Sequence, residues 1–292
     1  MDLKKTSLFP LLLLLISSFA SARQDSQDWW SRPIEPFRII GNIYYVGGAD
    51  LTSYLIETPK GLILLDGGSA LLAPTIQRNI EQLGFKPADI RILLNSHAHT
   101  DHAGGLMYFK RLSGAKMIAS EGDRPLLERW GRDPQFGDRL GFPAVVVDQI
   151  IHDGETVELG GVSLRAVLTP GHTPGCTTWT MTASEGGRKY NVVFFCSTSA
   201  PSGYRLVNNK AYPQIVSDYE HSFSRLKQLP CDVFLGAHGN FFRLKEKSAR
   251  LKAGARPNPF IDPDGYRWFV AASEREFHQL LLEQGRAAAA GN

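Results

Sequence analysis

Asn95-Ser96-His97-Ala98-His99-Thr100-Asp101-His102-Ala103-Gly104-Gly105 gathers three imidazoles and one carboxylate within six positions, directly behind the apolar run Ile90-Arg91-Ile92-Leu93-Leu94. That run reads as a short buried strand, so the polar cluster stands at a strand end. In extended chain alternate side chains share a face. His97 and His99 can therefore address one cation, while Asp101 and His102, where the chain turns, can address a neighbouring one. Imidazole nitrogen and carboxylate oxygen are zinc's usual ligands where thiolate is absent, and a catalytic zinc keeps one position open for water. One segment cannot close two such shells.

The missing ligands are expected at other strand ends. Two histidines qualify: His172 in Pro170-Gly171-His172-Thr173-Pro174-Gly175, and His238 in Gly236-Ala237-His238-Gly239, each behind an apolar, strand-like run. Taken singly, either is as readily a hydrogen-bonded core or loop residue; the joint pattern favours the metal. His152 beside an Asp-Gly turn, and His221 and His278 among polar neighbours on helices, read as solvated.

Outward from the cluster the chain alternates between strands and helices. Residues 37–65 read as a meander of four strands, 37–40, 43–46, 52–57 and 62–65, divided by Gly41-Asn42, Gly47-Gly48 and Pro59-Lys60-Gly61. Ile76, Ile80 and Leu83 then keep helical spacing into the strand at 90–94. A second β-rich stretch follows at 144–147, 155–159, 163–168, 177–181 and 192–195. Ile215, Tyr219, Phe223, Leu226 and Leu229 line one helix face, residues 232–236 form another strand, and Tyr266 to Leu281 give a last amphipathic helix before a fraying Ala-rich tail at 287–292. Two sheets covered outside by helices accommodate this order, and no Pro/Ser linker divides the chain. The expectation is one domain of four layers, α/β in class, over residues 23–292.

With 43% apolar, 21% charged and 10% aromatic residues among 292, the chain is neither disordered nor fibrous. A formal charge of +3 without any basic run argues against nucleic acid as a partner. Lys4 and Lys5, the apolar run Leu8 to Ile16 and Ala20-Ser21-Ala22 have the pattern of a signal peptide cut after Ala22, although a retained membrane anchor is the alternative. Cleavage removes two Lys and one Asp, leaving +2 and a protein exported to the periplasm or secreted, where disulfides survive. Of Cys176, Cys196 and Cys231, one must stay unpaired.

His-x-His-x-Asp-His, the later Gly-His-Thr-Pro-Gly and a final strand-end histidine resemble the metallo-β-lactamase superfamily over most of the mature chain. The resemblance implies an αββα sandwich with two mixed sheets and a site at the sheet edges. Glyoxalase II, lactonases, sulfatases and nucleases of the superfamily share the first motif. Hydrolases such as glyoxalase II place a bridging Asp after the strand following the Gly-His motif, whereas this chain reads Phe195-Cys196-Ser197-Thr198-Ser199-Ala200-Pro201. The first β-lactamase subclass has Arg where His102 stands and a Cys ligand nearby; the third resembles this chain in having His followed by Ser.

Carried over residue by residue, the likeness to the third subclass implies a first zinc on His97, His99 and His172, and a second on Asp101, His102 and His238. It implies Ser197 and Ser199 on the substrate carboxylate, Tyr204 near the carbonyl oxygen, and zinc-activated hydroxide as nucleophile in opening a β-lactam ring. The substrate would be a small molecule, the protein a monomer and no membrane partner would remain after export. Asp66 resembles a position that supports the site, and equally suits a turn before Gly67. Residues 130–143, Phe136 among them, are the expected rim over the substrate. Because Cys176 opens one strand and Cys196 closes the next, an antiparallel pair joined through Glu185-Gly186-Gly187 would bring them together as a disulfide worth about 3 kcal/mol; Cys231 would then be a buried thiol, and the competing reading makes Cys196 a zinc thiolate. A secreted lactonase with the same ligands, and a non-catalytic zinc-binding protein, are the rival readings.

Overall fold

The computed structural model describes residues 29–132, 141–201 and 203–291; the signal-peptide reading and Phe136 fall outside them. The turn glycines produce the expected meander: β1 (Phe37–Ile40), β2 (Ile43–Tyr45), β3 (Tyr54–Thr58) and β4 (Gly61–Leu65) pair antiparallel in turn. Helix α1 (Ala73–Gln82) crosses to β5 (Ile90–Leu94), α2 (Thr100–Ala103) and α3 (Leu106–Ser113) to β6 (Lys116–Ser120), and α4 (Arg124–Glu128) precedes β7 (Gln149–Ile151). Each of β5, β6 and β7 is parallel to its predecessor, completing a seven-stranded sheet in sequence order.

The second sheet has the order β12-β11-β10-β9-β8. β8 (Thr156–Leu159), β9 (Val162–Leu168), β10 (Thr177–Glu185) and β11 (Arg188–Phe195) are antiparallel neighbours. After α5 (Ile215–Gln228), β12 (Val233–Gly236) joins parallel to β11, and α6 (Leu244–Lys252) and α7 (Pro263–Ala289) follow. The fold is the αββα sandwich with two mixed sheets.

Packing follows strand periodicity. Ile63 and Leu65 of β4 join Trp179 and Phe194 between the sheets, whereas Leu62 and Leu64 join Ile76 and Ile80 of α1 and Phe109 of α3 on the outer face. A strand buried on both faces is necessarily a continuous apolar run, and each enclosed Leu or Ile contributes about 1.5–3 kcal/mol. Gly186 and Gly187 turn β10 into β11 with φ of +57° and +78°, the left-handed pair that a two-residue hairpin requires.

Three local expectations are corrected. Residues 144–147 are not a strand: Val145 N donates to Leu127 O at 2.9 Å and Val147 N to a Glu128 carboxylate oxygen at 3.2 Å, so these amides satisfy the end of α4, and the edge strand forms two residues later as β7. The Ala-rich tail continues α7 to Ala289, as alanine's helix propensity favours. Cys231, the free cysteine, is partly buried rather than enclosed. Residues 106–128, unassigned from sequence, supply α3, β6 and α4.

Lys247 of α6 is 1% exposed, with Nζ 2.8 Å from Asp262 Oδ2. Asp262 also caps α7, accepting from Gly265 N at 2.9 Å. Asp262→Ala would strand a buried ammonium and should cost about 3–5 kcal/mol in urea unfolding. Lys247→Met should cost about 1 kcal/mol or less, because Asp262 keeps Arg243 at 3.2 Å and the Gly265 amide. Equal losses would contradict this asymmetry.

Candidate metal centre

The strand ends converge at one edge of the sandwich. β4 and β5 are parallel and deliver Asp66 and the 95–102 segment; β9 and β11 run in the same direction, each antiparallel to β10, and deliver His172 and Ser197; β12 delivers His238. His97 and His99 follow β5 in a segment that bends at Ser96, Ala98 and His99, where His99 itself is extended, and Asp101 and His102 sit on the single turn of α2. Gly171 precedes His172 at φ +132°, where a Cβ would stand 2.8 Å from the Tyr219 ring, so only glycine admits this approach.

Ligand atoms form two adjacent triads. His172 Nε2 lies 3.1 Å from His99 Nδ1 and 3.2 Å from His97 Nε2. His102 Nε2 lies 3.2 Å from His238 Nε2 and 3.3 Å from Asp101 Oδ2, which is 3.5 Å from His238 Nε2. The His97 and His102 ring centroids are 4.3 Å apart, placing the triads side by side. A tetrahedral zinc with Zn–N of about 2.0–2.1 Å separates neighbouring ligand atoms by about 3.3 Å, close to these spacings.

The far side of each ring decides what the near side can do. Ser96 Oγ donates to the Asp66 carboxylate at 2.7 Å, so across its 3.1 Å contact with His97 Nδ1 it accepts. His172 Nδ1 donates to the Ser199 carbonyl at 2.7 Å. The Nε2 atoms of His97 and His172 therefore face each other at 3.2 Å as two lone pairs, an arrangement that calls for a cation between them. The second triad repeats the device at His238, whose Nδ1 meets Asp50 Oδ2 at 3.1 Å and turns the Nε2 lone pair inward, while His102 Nδ1 lies within ion-pair distance of Asp66 Oδ2, at 3.4 Å, without a hydrogen bond.

Electrostatics agree. Burial and the neighbouring imidazoles hold His97 and His172 well below the ordinary histidine range, as neutral donors. Burial raises the Asp101 carboxyl, but His102, His238 and His99 outweigh it and keep the group ionised. Burial lowers His102, yet Asp101 and Asp66 together drive it upward, so this point of the site demands positive charge. The donor set fits a metal ion at each triad.

All six sequence-predicted ligands are thus brought together. Asp66 serves both of its expected roles: it turns the chain at φ +64°, and its carboxylate holds Ser96 N at 2.6 Å and Ser96 Oγ at 2.7 Å. Ser197 and Ser199 lie beside His172, with Oγ atoms 3.1 Å apart and Ser199 Oγ 3.3 Å from His172 Nδ1. Tyr204 departs from expectation. It is 3% exposed, and its hydroxyl donates to the His172 carbonyl at 2.7 Å, so it buttresses the ligand loop instead of facing the cleft. Cys176 and Cys196 form the disulfide at a Cα separation of 6.1 Å, with Cys196 Sγ 3.8 Å from His97 Nδ1; it floors the first triad and leaves Cys196 no thiolate to offer. His152 and His221 are exposed and His278 pairs with Glu220 at 2.8 Å, away from the site.

Three supports escaped the sequence. Asp50 is buried, aims His238 and accepts from Asn240 N at 2.8 Å. Trp179 Nε1 donates to Asn95 O at 2.9 Å beneath the motif. Asp123 is fully buried; its oxygens accept from Ala98 N at 2.8 Å and Gly175 N at 2.9 Å, tying the 97–99 loop to the 172–175 loop. Burial pushes its carboxyl up to about 6, against the pull of Thr173, His99 and the two amides. Recognising β6 would have exposed Asp123, since it follows a strand end as the ligands do.

The metallo-beta-lactamase superfamily model matches residues 47–238. The chain belongs to that superfamily. Among solved members, the FEZ-1 metallo-beta-lactamase of Legionella gormanii is 43% identical, with a TM-score of 0.86, covering 87% of this chain and 98% of that one. BJP-1, a subclass B3 metallo-beta-lactamase of Bradyrhizobium japonicum, is 42% identical, with a TM-score of 0.85, covering 90% and 99%. The hydroxyacylglutathione hydrolase GloC of Haemophilus influenzae is 27% identical over 72% of this chain and 92% of its own. A probable metallo-hydrolase of Burkholderia pseudomallei, 33% identical, matches over 34% of this chain and a third of its own length (33%). The superfamily makes the protein a metallo-hydrolase, and the histidine triads make zinc the typical ion.

Proposed function

We propose that the protein is an exported di-zinc hydrolase that opens the β-lactam ring of antibiotics, acting as a monomer after removal of residues 1–22. The observation that carries this reading is the end of β11. Where a glyoxalase-like hydrolase would offer a bridging carboxylate, Cys196 is locked in a disulfide and Ser197 and Ser199 follow beside His172. The likeness to FEZ-1 and BJP-1 supports the same conclusion. No helix among the described residues is long and apolar enough to cross a membrane.

His97, His99 and His172 would hold one ion and Asp101, His102 and His238 the other. Bound there, zinc supplies Lewis acidity toward the lactam carbonyl and lowers the pKa of water to about 7, so that hydroxide is available at neutral pH. The chain's own groups do the rest. Asp101, one-third exposed (32%) at the mouth and held ionised, orients the attacking hydroxide by accepting its hydrogen bond and reduces the net charge at the second triad. Ser197 and Ser199 offer hydroxyls to the substrate carboxylate. Neither serine is a nucleophile: the nearby His172 Nδ1 spends its proton on Ser199 O and keeps no lone pair with which to act as base.

The test sets the purified protein against a carbapenem, a cephalosporin, a hydroxyacylglutathione thioester and an acyl-homoserine lactone, each before chelation, after it and after added zinc. The expected result is β-lactam opening that chelation abolishes and zinc restores, with the thioester and lactone turned over far more slowly. Zinc-restored hydrolysis of the thioester alone would make the protein a relative of GloC in function; lactone opening alone would make it a lactonase. Metal bound without turnover of any of them would leave a zinc-binding protein.

A further inference from the structure

The loop after the serines is held from a helix that contributes nothing to the metal motifs. Gln284, near the end of α7, accepts from Leu206 N at 2.7 Å and Val207 N at 3.4 Å, and its Nε2 donates to Tyr204 O at 2.7 Å. Tyr204 in turn donates its hydroxyl to the His172 carbonyl, and its ring stacks on the His172 ring at 6.0 Å. From the other side the Tyr219 hydroxyl donates to Ser199 O at 2.7 Å, on the same carbonyl that fixes His172 Nδ1. Phe277, two turns before Gln284 on α7, stacks on Tyr219 at 4.7 Å.

We propose that Gln284 is a positioning residue for the first metal triad: it sets the 204–207 loop so that Tyr204 presses His172 into its ligand orientation and Ser199 stays beside it. The amide is suited to this because one side chain both accepts from and donates to the loop backbone, clamping three residues at once. It also gives a reason for α7 to run 27 residues, since a helix ending at Leu281 would not reach the loop. The inference rests on His172 being a metal ligand.

The experiment uses full-length Gln284→Ala, with Gln279→Ala, an exposed position on the same helix, as control. Zinc is removed and cobalt titrated in, following its ligand-field absorption. Gln284→Ala should weaken the first cobalt equivalent about tenfold, as loss of an outer support does at metal sites, and raise KM for a β-lactam about tenfold with kcat changed less than about threefold. The control should match the parent. Because Gln284 acts through the Tyr204 side chain, its substitution should add little further loss of cobalt affinity in a Tyr204→Ala background, where neither ring nor hydroxyl reaches His172.

Unchanged cobalt affinity in Gln284→Ala, or fully additive effects in the double variant, would overturn the proposal. Should Gln284→Ala fail to fold, Gln284→Glu carries the same test, keeping the acceptor for Leu206 and Val207 and lacking the donor for Tyr204 O. A parent protein that opens no β-lactam defeats the functional reading, while the cobalt titration still decides the role of Gln284.

Discussion

Asp101→Ala should lower kcat by about a hundred- to a thousandfold, the range that loss of one preorganised transition-state contact costs, and raise KM by much less. Asp101 is the one carboxylate whose oxygen is shared between His102 Nε2 and His238 Nε2, at 3.3 and 3.5 Å among the described residues. Removing it takes a ligand from the second triad and the acceptor from the mouth, while the first triad, made of His97, His99 and His172, is untouched. Elemental analysis should therefore find about one zinc retained where the parent holds two. Equal loss of both ions, or a KM effect as large as the kcat effect, would contradict this division between the triads.

The second large effect is expected at Asp123→Ala, a residue that belongs to neither triad. Its carboxylate is the acceptor for Ala98 N, between two ligands, and for Gly175 N, in the loop that carries a third. Both donors are enclosed, and an unsatisfied buried donor costs about 1–3 kcal/mol. Urea unfolding should show a loss of about 2–6 kcal/mol for the pair, and chelator competition an affinity of the first site reduced about ten- to a hundredfold. Asp123→Asn, which keeps one acceptor, should fall between.

The metal-free protein adds a pH signature. Burial raises the Asp123 carboxyl from an ordinary 3.8 to about 6, so the folded state binds this proton more tightly than the unfolded chain. Its contribution to stability is complete below the unfolded value and disappears as pH rises through about 6. Asp123→Asn should lack that decline; an Asn variant whose stability keeps the parent's slope between about pH 4 and 6 would assign the titration elsewhere.

How much of this was legible in the chain differs residue by residue. Strand β5 and the motif behind it were readable because an apolar run, a periodicity of two and four ligand-type side chains lie within one short segment. The disulfide was readable once β10 and β11 were placed, since Gly186-Gly187 makes their register local. Residues 144–147 were misread because their apolar residues suit a strand, while the amide partners that decide the matter belong to α4. Tyr204 was assigned to substrate by likeness alone; its hydroxyl and ring lie against His172, and its carbonyl accepts from Gln284 of α7, contacts that no local spacing announces.

The sequence by itself determined the chemistry: six ligand-type side chains at strand ends, no carboxylate in residues 196–201 behind the last hairpin strand, and two cysteines flanking that hairpin. These follow from local spacing, to which extended and helical backbones give fixed directions. Only the tertiary structure decided which lone pairs face inward. That depends on Asp50 reaching His238 across 188 positions, on Asp66 holding the Ser96 hydroxyl across 30 and on the Ser199 carbonyl meeting His172 Nδ1 across 27. Hydrogen bonds over such separations leave no periodicity behind, because their geometry is set by how the two sheets and their helices pack.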